Sequence, residues 1–138
     1  MNIEELSYAA GLFDGEGTVT LTRNKANEQR SPTVSLSSTT YELVQFMKDT
    51  FGGRIVTLTR TKKQGHKQAW HWQTSYSKAI EVLIQIRPYL REPEKTRRAD
   101  MIINDYRDVV SKNGKYSQEL LDKRLAFETE FFINSTKA

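Results

Sequence analysis

Hydrophobic spacing divides the 138-residue chain into helical and extended segments. In residues 4–13 apolar side chains recur every three or four positions, which predicts an amphipathic helix. Residues 18–23 and 32–38 alternate apolar side chains with Thr or Ser, which predicts two strands that each bury one face. Residues 24–31 between them are polar and read as a hairpin loop, so the two strands should pair antiparallel.

The same order of elements then returns. A helix capped by Thr39 or Thr40 should end at Gly52 and Gly53. After it we expect two more strands at residues 54–60 and 69–75, joined by a basic loop at 61–68. A helix at 77–90, a linker at 91–95 and two further helices at 96–110 and 117–133 should follow. This order predicts an α+β fold in which helices cover one face of a four-stranded antiparallel sheet. The length fits a single domain over residues 1–138.

The third strand has two possible registers. Either Ile55 faces the core, or Val56 and Leu58 do, and Arg54 and Arg60 change faces with that choice. The spacing of the fourth strand is less ambiguous, because two tryptophans at positions 70 and 72 should share the core face.

Composition narrows the classes of partner and chemistry. The chain has no cysteine, which excludes disulfides, thiolate metal ligands and cysteine nucleophiles. Lys and Arg number 21 against 17 Asp and Glu, and residues 50–80 hold six basic side chains and no acidic one. This local positive charge favours a polyanionic partner. His66 and His71 lie in or beside the basic segment without supporting acids, so we interpret them as contacts to that partner or as exposed side chains rather than a metal pair.

The N-terminal residues carry acids and no long apolar run. We therefore expect neither a signal peptide nor a membrane anchor, and a soluble, intracellular protein. The compartment, whether bacterial, phage or organellar, stays open.

The stretch GLFDGEG, residues 11–17, places Asp14 and Glu16 where the first helix ends. A helix C-terminus carries partial negative charge, so a carboxylate there is disfavoured by roughly 0.3–1 kcal/mol when exposed. A divalent cation would compensate this charge.

Residues 8–17, YAAGLFDGEG, together with the order of elements, resemble the LAGLIDADG homing endonucleases over nearly the whole chain. The resemblance implies that two such helices pack side by side through small residues. Because the motif occurs once, the implied active form is a homodimer acting on a near-palindromic site. The interface residues implied are Ser7, Ala10, Gly11 and Asp14.

The resemblance also implies a metal site. Glu16 corresponds to the metal-binding carboxylate, the Gly15 carbonyl is a further candidate ligand, and the cation is Mg²⁺ (or Mn²⁺). Gly15 and Gly17 would let the backbone turn sharply there. Family enzymes place a lysine near the scissile phosphate, and Lys95 is assigned that role.

Two positions depart from the family pattern. Arg97 and Arg98 are the alternatives to Lys95, because its spacing from Pro88 is slightly long. Ser38 stands where the family often has a solvent-ordering glutamine, which makes it the third candidate catalytic residue.

The polar face of the sheet should contact double-stranded DNA, with lysines on phosphates and the other side chains on base edges. The candidates are Thr20, Thr22, Asn24, Ser35, Ser37, Thr57, Thr59, Lys62, Lys63, Lys67, His71 and Gln73. The resemblance thus implies a site-specific, metal-dependent DNA endonuclease of the intron-homing kind. The alternative is a non-cleaving DNA-binding regulator or a maturase that grips intron RNA.

Overall fold

The computed structural model describes residues 2–58 and 68–133. Helix α1, Ile3–Glu16, begins at Asn2, whose side chain accepts a hydrogen bond from the N–H of Glu5 at 2.8 Å. It extends three residues beyond the predicted end, so Asp14 and Glu16 lie inside its last turn. The first strand begins at the next residue, and no loop separates the helix from the sheet.

Gly17 is the residue at this junction, and its role differs from the predicted sharp turn. Its φ of −84° is extended backbone that any residue can adopt. A Cβ at this position would lie 2.3 Å from the ring of Phe13, which is fully buried. Glycine is therefore required here by close packing.

Four strands form one antiparallel sheet in the order β1-β2-β4-β3. Their bounds are β1 Gly17–Thr22, β2 Ser31–Ser38, β3 Arg54–Leu58 and β4 Ala69–Ser75. The α+β fold and the four-stranded antiparallel sheet predicted from the sequence are confirmed.

The register of β3 decides which side chains reach each face. Ile55 lies opposite Trp72, a fully buried core residue, whereas Val56 lies opposite His71 on the other face. Thr57 lies opposite Trp70 and therefore belongs to the helix-covered side. The prediction that Thr57 lies on the polar face is wrong, because the single apolar side chain Ile55 takes the core position.

In the part of the chain that the structure describes, five helices pack on the apolar face, on the β1 edge and on one another. After α1 these are α2 Tyr41–Phe51, α3 Tyr76–Ile86, α4 Pro93–Asp105 and α5 Gln118–Phe132, with 3₁₀ turns at Arg87–Tyr89 and Tyr106–Val109. Buried side chains from Ala9 to Phe131 form one contiguous core. Trp72 belongs to it and Trp70 packs against it, as predicted.

Helix α4 begins three residues before the predicted start. Pro93 occupies its first turn, and the Glu92 carboxylate accepts hydrogen bonds from the N–H groups of Glu94 and Lys95 at 3.2 and 2.6 Å. Residues 93–95 of the expected linker are therefore helical, which places Lys95 in the first turn of α4.

The β1 edge is covered by α4, where Arg98 Nη1 donates to the carbonyl of Val19 at 2.8 Å. Helix α5 holds the start of β2, because Arg124 donates to the carbonyl of Arg30 and Glu128 accepts from Arg30 at 2.7 Å. Within the described residues, no helix is long and apolar enough to cross a membrane.

Candidate functional site

The two acids at the end of α1 have different surroundings. The Asp14 carboxylate accepts hydrogen bonds from the N–H of Arg91, at 3.0 Å to Oδ2, and from the N–H of Glu92 at 3.0 Å. Asp14 therefore joins α1 to the segment before α4 within its own chain. Glu16 is exposed and makes no hydrogen bond or ion pair to any described residue. Its carboxylate is available to an external ligand.

Lys95 supplies the positive charge at this helix end. Its Nζ donates to the carbonyls of Phe13 at 3.1 Å and Asp14 at 2.6 Å. An ammonium at a helix C-terminus offsets the negative end of the helix dipole. Part of the compensation that the sequence analysis assigned to a divalent cation thus comes from Lys95.

Arg97 and Arg98, the alternatives to Lys95, bind elsewhere. Arg97 donates to Glu94, to the carbonyl of Phe131 in the last turn of α5 and to the carbonyl of Ile133 just after that helix, the last two at 2.7 Å each. Arg98 bonds Glu94 and the β1 backbone, and its guanidinium lies 4.8 Å from the centre of the Phe131 ring. Both arginines hold the fold together.

A groove of 360 Å³ lies beside the end of α1. It is lined by Gly17, Thr18, Val19, Glu92, Glu94, Lys95 and Arg98. The first turn of α4 forms one wall of this groove, and Gly17, the residue that follows Glu16, lies on it as well.

Ser38 reaches the same end of the sheet. Gly17 pairs with Leu36, so the antiparallel register runs Ser38 past the start of β1 toward the last turn of α1. Its Oγ accepts from the N–H of Thr40 at 2.9 Å, which ties it to the start of α2. The structure thus brings Glu16, Lys95 and Ser38 to one end of the fold.

The face of the sheet opposite the helices is polar and interlinked. Thr22 and Thr33 bond across β1 and β2 at 2.6 Å, and Thr33 and Ser75 bond across β2 and β4 at 3.3 Å. A groove of 590 Å³ on this face is lined in part by Asn24, Thr33, Arg54 and Gln73. We call this surface the polar face.

Most of the predicted DNA contacts that the structure describes lie on or beside the polar face. By strand register these are Thr20, Thr22, Ser35, Ser37, His71 and Gln73, with Asn24 in the hairpin loop at its end. Ser35 is only 9% exposed because neighbouring strands flank it. The predicted contacts Thr59, Lys62, Lys63 and Lys67, together with Arg60 and His66, lie outside the described residues.

Arg54 is the polar-face residue that the sequence analysis left undecided. It pairs with Gln73, so its side chain shares the polar face. Of the two registers that the sequence left open, the structure has the one with Ile55 on the core face, which puts Arg54 on the opposite face.

The exposed side of α1 carries a stripe of small residues four positions apart. We call Ser7, Gly11 and Gly15 the α1 stripe; all three are exposed, and a Cβ on either glycine would meet nothing within 4 Å. Ala10 is fully buried in the core of its own chain, so its predicted place in a dimer interface is wrong. The helical period turns Ala10 inward with Ala9 and Phe13, and Gly15 takes its place in the stripe.

The oxygen ligands at the end of α1 suit a hard divalent cation but are few. Glu16 offers a carboxylate that no described residue binds, and Gly15 lies in the last turn, where carbonyls lack intrahelical partners. Among the described residues no group of three His, Asp or Glu side chains could hold a metal. The described residues of one chain therefore offer at most part of a ligand set for such a cation.

Comparisons with known proteins agree with this geometry. A family model described as "LAGLIDADG-like domain" matches residues 4–92, which include α1 and the whole sheet. A search of curated proteins found no match.

Several solved structures share the fold. The homing endonuclease I-GzeII, in complex with its DNA target, is 18% identical with a TM-score of 0.62 over 89% of this chain. The archaeal intron-encoded homing endonuclease I-Vdi141I, complexed with DNA, is 15% identical with a TM-score of 0.59 over 93% of it. The homing endonuclease I-TnaI is 18% identical with a TM-score of 0.58 over 98%.

The chain spans 43% of the I-GzeII chain, 82% of I-Vdi141I and 92% of I-TnaI. At these identities the likeness shows the fold, whereas the family match rests on the sequence of the motif and sheet. On the match over residues 4–92, the chain belongs to the LAGLIDADG-like domain family.

Proposed function

We propose that the protein is a site-specific, metal-dependent double-strand DNA endonuclease that works as a homodimer. The observation that carries the proposal is the free, exposed carboxylate of Glu16. It lies where α1 meets the sheet, in the same last turn of the helix whose Asp14 carbonyl accepts a hydrogen bond from the ammonium of Lys95. Binding alone would not call for an acid that faces phosphates.

The polar face suits the DNA major groove, which admits β-strands and presents donors and acceptors on each base pair. Its Thr, Ser, His and Gln side chains can both donate and accept hydrogen bonds. The structural relatives named above as DNA complexes support a duplex as the ligand.

The α1 stripe supports assembly of two chains about a two-fold axis. Small residues four positions apart allow two helix backbones to approach closely. Such a pairing brings two copies of Glu16 together, so each chain completes the other's partial ligand set. A two-fold symmetric dimer reads a near-palindromic site.

Glu16 and the carbonyl of Gly15 are the residues that would hold Mg²⁺ or Mn²⁺. The chemistry that such a cation supplies is stabilisation of charge on the phosphate and leaving oxygen and a lower pKa of a bound water. Lys95 holds the end of α1 in place by its two hydrogen bonds, which fixes where Glu16 projects. A structure of a homing endonuclease with calcium ions and uncleaved DNA, that of I-SmaMI, supports a divalent cation as the cofactor class.

A second function, non-cleaving binding of DNA or intron RNA, is favoured by one observation. The ammonium of Lys95 and the hydroxyl of Ser38 both have partners within the chain. A binding protein could keep both residues for these structural roles alone.

The experiment that separates the two functions is a selection from randomised duplexes, once with Mg²⁺ and once with Ca²⁺. We expect cut ends to be enriched in Mg²⁺ only, at sites with two-fold symmetry. Enriched binding without cuts in either metal would support the binding function instead.

A further inference from the structure

Four side chains on the polar face form one hydrogen-bonded chain across three strands. With the Gln73 amide oriented so that its oxygen faces Arg54, Arg54 on β3 donates to Gln73 Oε1 on β4 from Nε at 2.9 Å and from Nη2 at 2.5 Å. Gln73 Nε2 lies 3.3 Å from His71 Nε2, and His71 Nδ1 lies 2.6 Å from Ser37 Oγ on β2. We call these four residues the cross-strand chain.

The direction of each hydrogen bond follows from Arg54, which can only donate. Gln73 must turn its oxygen toward Arg54, because the opposite orientation would point its amide N–H groups at the guanidinium. Its nitrogen then donates to His71 Nε2, so the imidazole carries its proton on Nδ1 and donates to Ser37. Every link donates in the same direction along the cross-strand chain.

This arrangement holds Arg54 in a defined orientation although the residue is exposed. Two of its five N–H groups are bound by Gln73, which is itself half-buried and held by His71. Both N–H groups of Nη1 and one of Nη2 have no acceptor among the described residues. A paired set of donors on a fixed guanidinium edge therefore remains for a ligand.

Guanine is the base that matches this donor pair. Its major-groove edge offers two adjacent acceptors, O6 and N7, to a bidentate guanidinium. Adenine places a donor at the corresponding position, so one N–H group of Arg54 would be left facing another N–H group.

We propose that Arg54, with Gln73 as its positioning residue, reads one guanine in each half of the DNA site. The inference rests on the proposed function, since it requires a duplex against the polar face. It adds the base that is recognised and the residue that recognises it.

The test is selection of bound duplexes from a randomised library in Ca²⁺, followed by affinities for the selected site and for its guanine-to-adenine variants. Arg54→Lys keeps the charge but cannot form the bidentate contact. Gln73→Met removes the acceptor, whereas Gln73→Glu restores it. Lys78→Ala removes one exposed charge from α3 and serves as the control.

We expect the wild type to prefer guanine at one position in each half-site, by roughly 5- to 150-fold as for a good bidentate pair. Arg54→Lys should lose that preference at that position alone, Gln73→Met should weaken it, and Gln73→Glu and Lys78→Ala should keep it.

Two results would overturn the inference while leaving DNA binding intact. One is an unchanged guanine preference in Arg54→Lys. The other is that Arg54→Lys loses the same affinity for the selected site and for all of its guanine-to-adenine variants, as expected if Arg54 contacts a phosphate. Failure of the wild type to enrich any duplex would instead overturn the proposed function, and this inference with it.

Discussion

Asp14 and Glu16 lie in the same turn of α1, yet the carboxylate of Asp14 accepts hydrogen bonds and that of Glu16 is exposed to solvent. Asp14 is bonded to two backbone N–H groups 77 and 78 positions away in the chain, whereas Glu16 has no partner among the residues that the structure describes. That Glu16 binds a metal stays a prediction from the motif. The partners of Asp14 could not be predicted, because nothing local in the sequence shows that residues 91 and 92 return to the end of α1.

Lys95 has both a structural role, through its hydrogen bonds to the end of α1, and a place in the proposed active site. We expect Lys95→Met to lower the free energy of unfolding by about 1.5–3 kcal/mol, because hydrogen bonds to charged groups of this kind contribute that much. Urea unfolding followed by circular dichroism measures the change. Lys78→Met, at an exposed position of α3, is the control and should stay within about 0.5 kcal/mol of wild type. Equal effects of the two substitutions would show that the Lys95 bonds do not stabilise the fold.

The bounds of the strands and helices follow the hydrophobic pattern closely, and the departures from the predicted bounds and register have physical causes. Alternation located all four strands, but the register of β3 depended on contacts distant in sequence. Gly52 and Gly53 have φ of 77° and 88°, and the indole of Trp72 donates to the Gly52 carbonyl at 2.7 Å. These contacts fix the start of β3 and turn Arg54 onto the polar face.

Helices α4 and α5 lie entirely beyond the family match, and charged contacts join them. Glu94 binds Arg97 and Arg98, while Arg97 also caps the end of α5. The hydrogen bond from Arg97 lowers the pKa of Glu94 below its ordinary value of 4.5, with burial opposing the shift.

This lowered pKa predicts how the stability of the fold depends on pH. Because the folded-state pKa is the lower one, the stabilisation is present above the unfolded-state pKa and is lost as the pH falls through the folded-state value. We expect Glu94→Gln to cost about 1–3 kcal/mol at pH 7, and less and less as the pH is lowered below 4.5.

Denaturant unfolding of wild type and variant at several pH values measures this difference. Glu119→Gln is the control, since Glu119 forms an exposed ion pair of 3.6 Å with Lys123 and should matter little at any pH. If the loss of unfolding free energy in Glu94→Gln stays constant as the pH falls below 4.5, the ionised Glu94 carboxylate is not the source of the stabilisation.

At the scale of the whole molecule, the proposed activity depends on two chains meeting through the α1 stripe. Gly11→Leu should leave the fold of one chain intact, because a Cβ at this position meets nothing within 4 Å and leucine favours helix over glycine. It should block the close approach of two helices. We therefore expect sedimentation at micromolar concentration to give twice the 16.0 kDa chain mass for wild type and the single mass for the variant.

Lys123→Leu places the same side chain on an exposed position of α5 and should leave assembly unchanged. A Gly11→Leu protein that still dimerises would move the interface away from the α1 stripe.

Cleavage by Glu16→Gln tests the central claim most directly. On a duplex selected by the wild type, in Mg²⁺, we expect this variant to bind with about wild-type affinity and to make no cuts, because the amide keeps the shape but removes the charge that holds a cation. Glu5→Gln, an exposed acid at the other end of the same helix, should bind and cut like wild type. Cutting by Glu16→Gln at the wild-type rate would contradict the assignment of Glu16 as the metal-binding carboxylate.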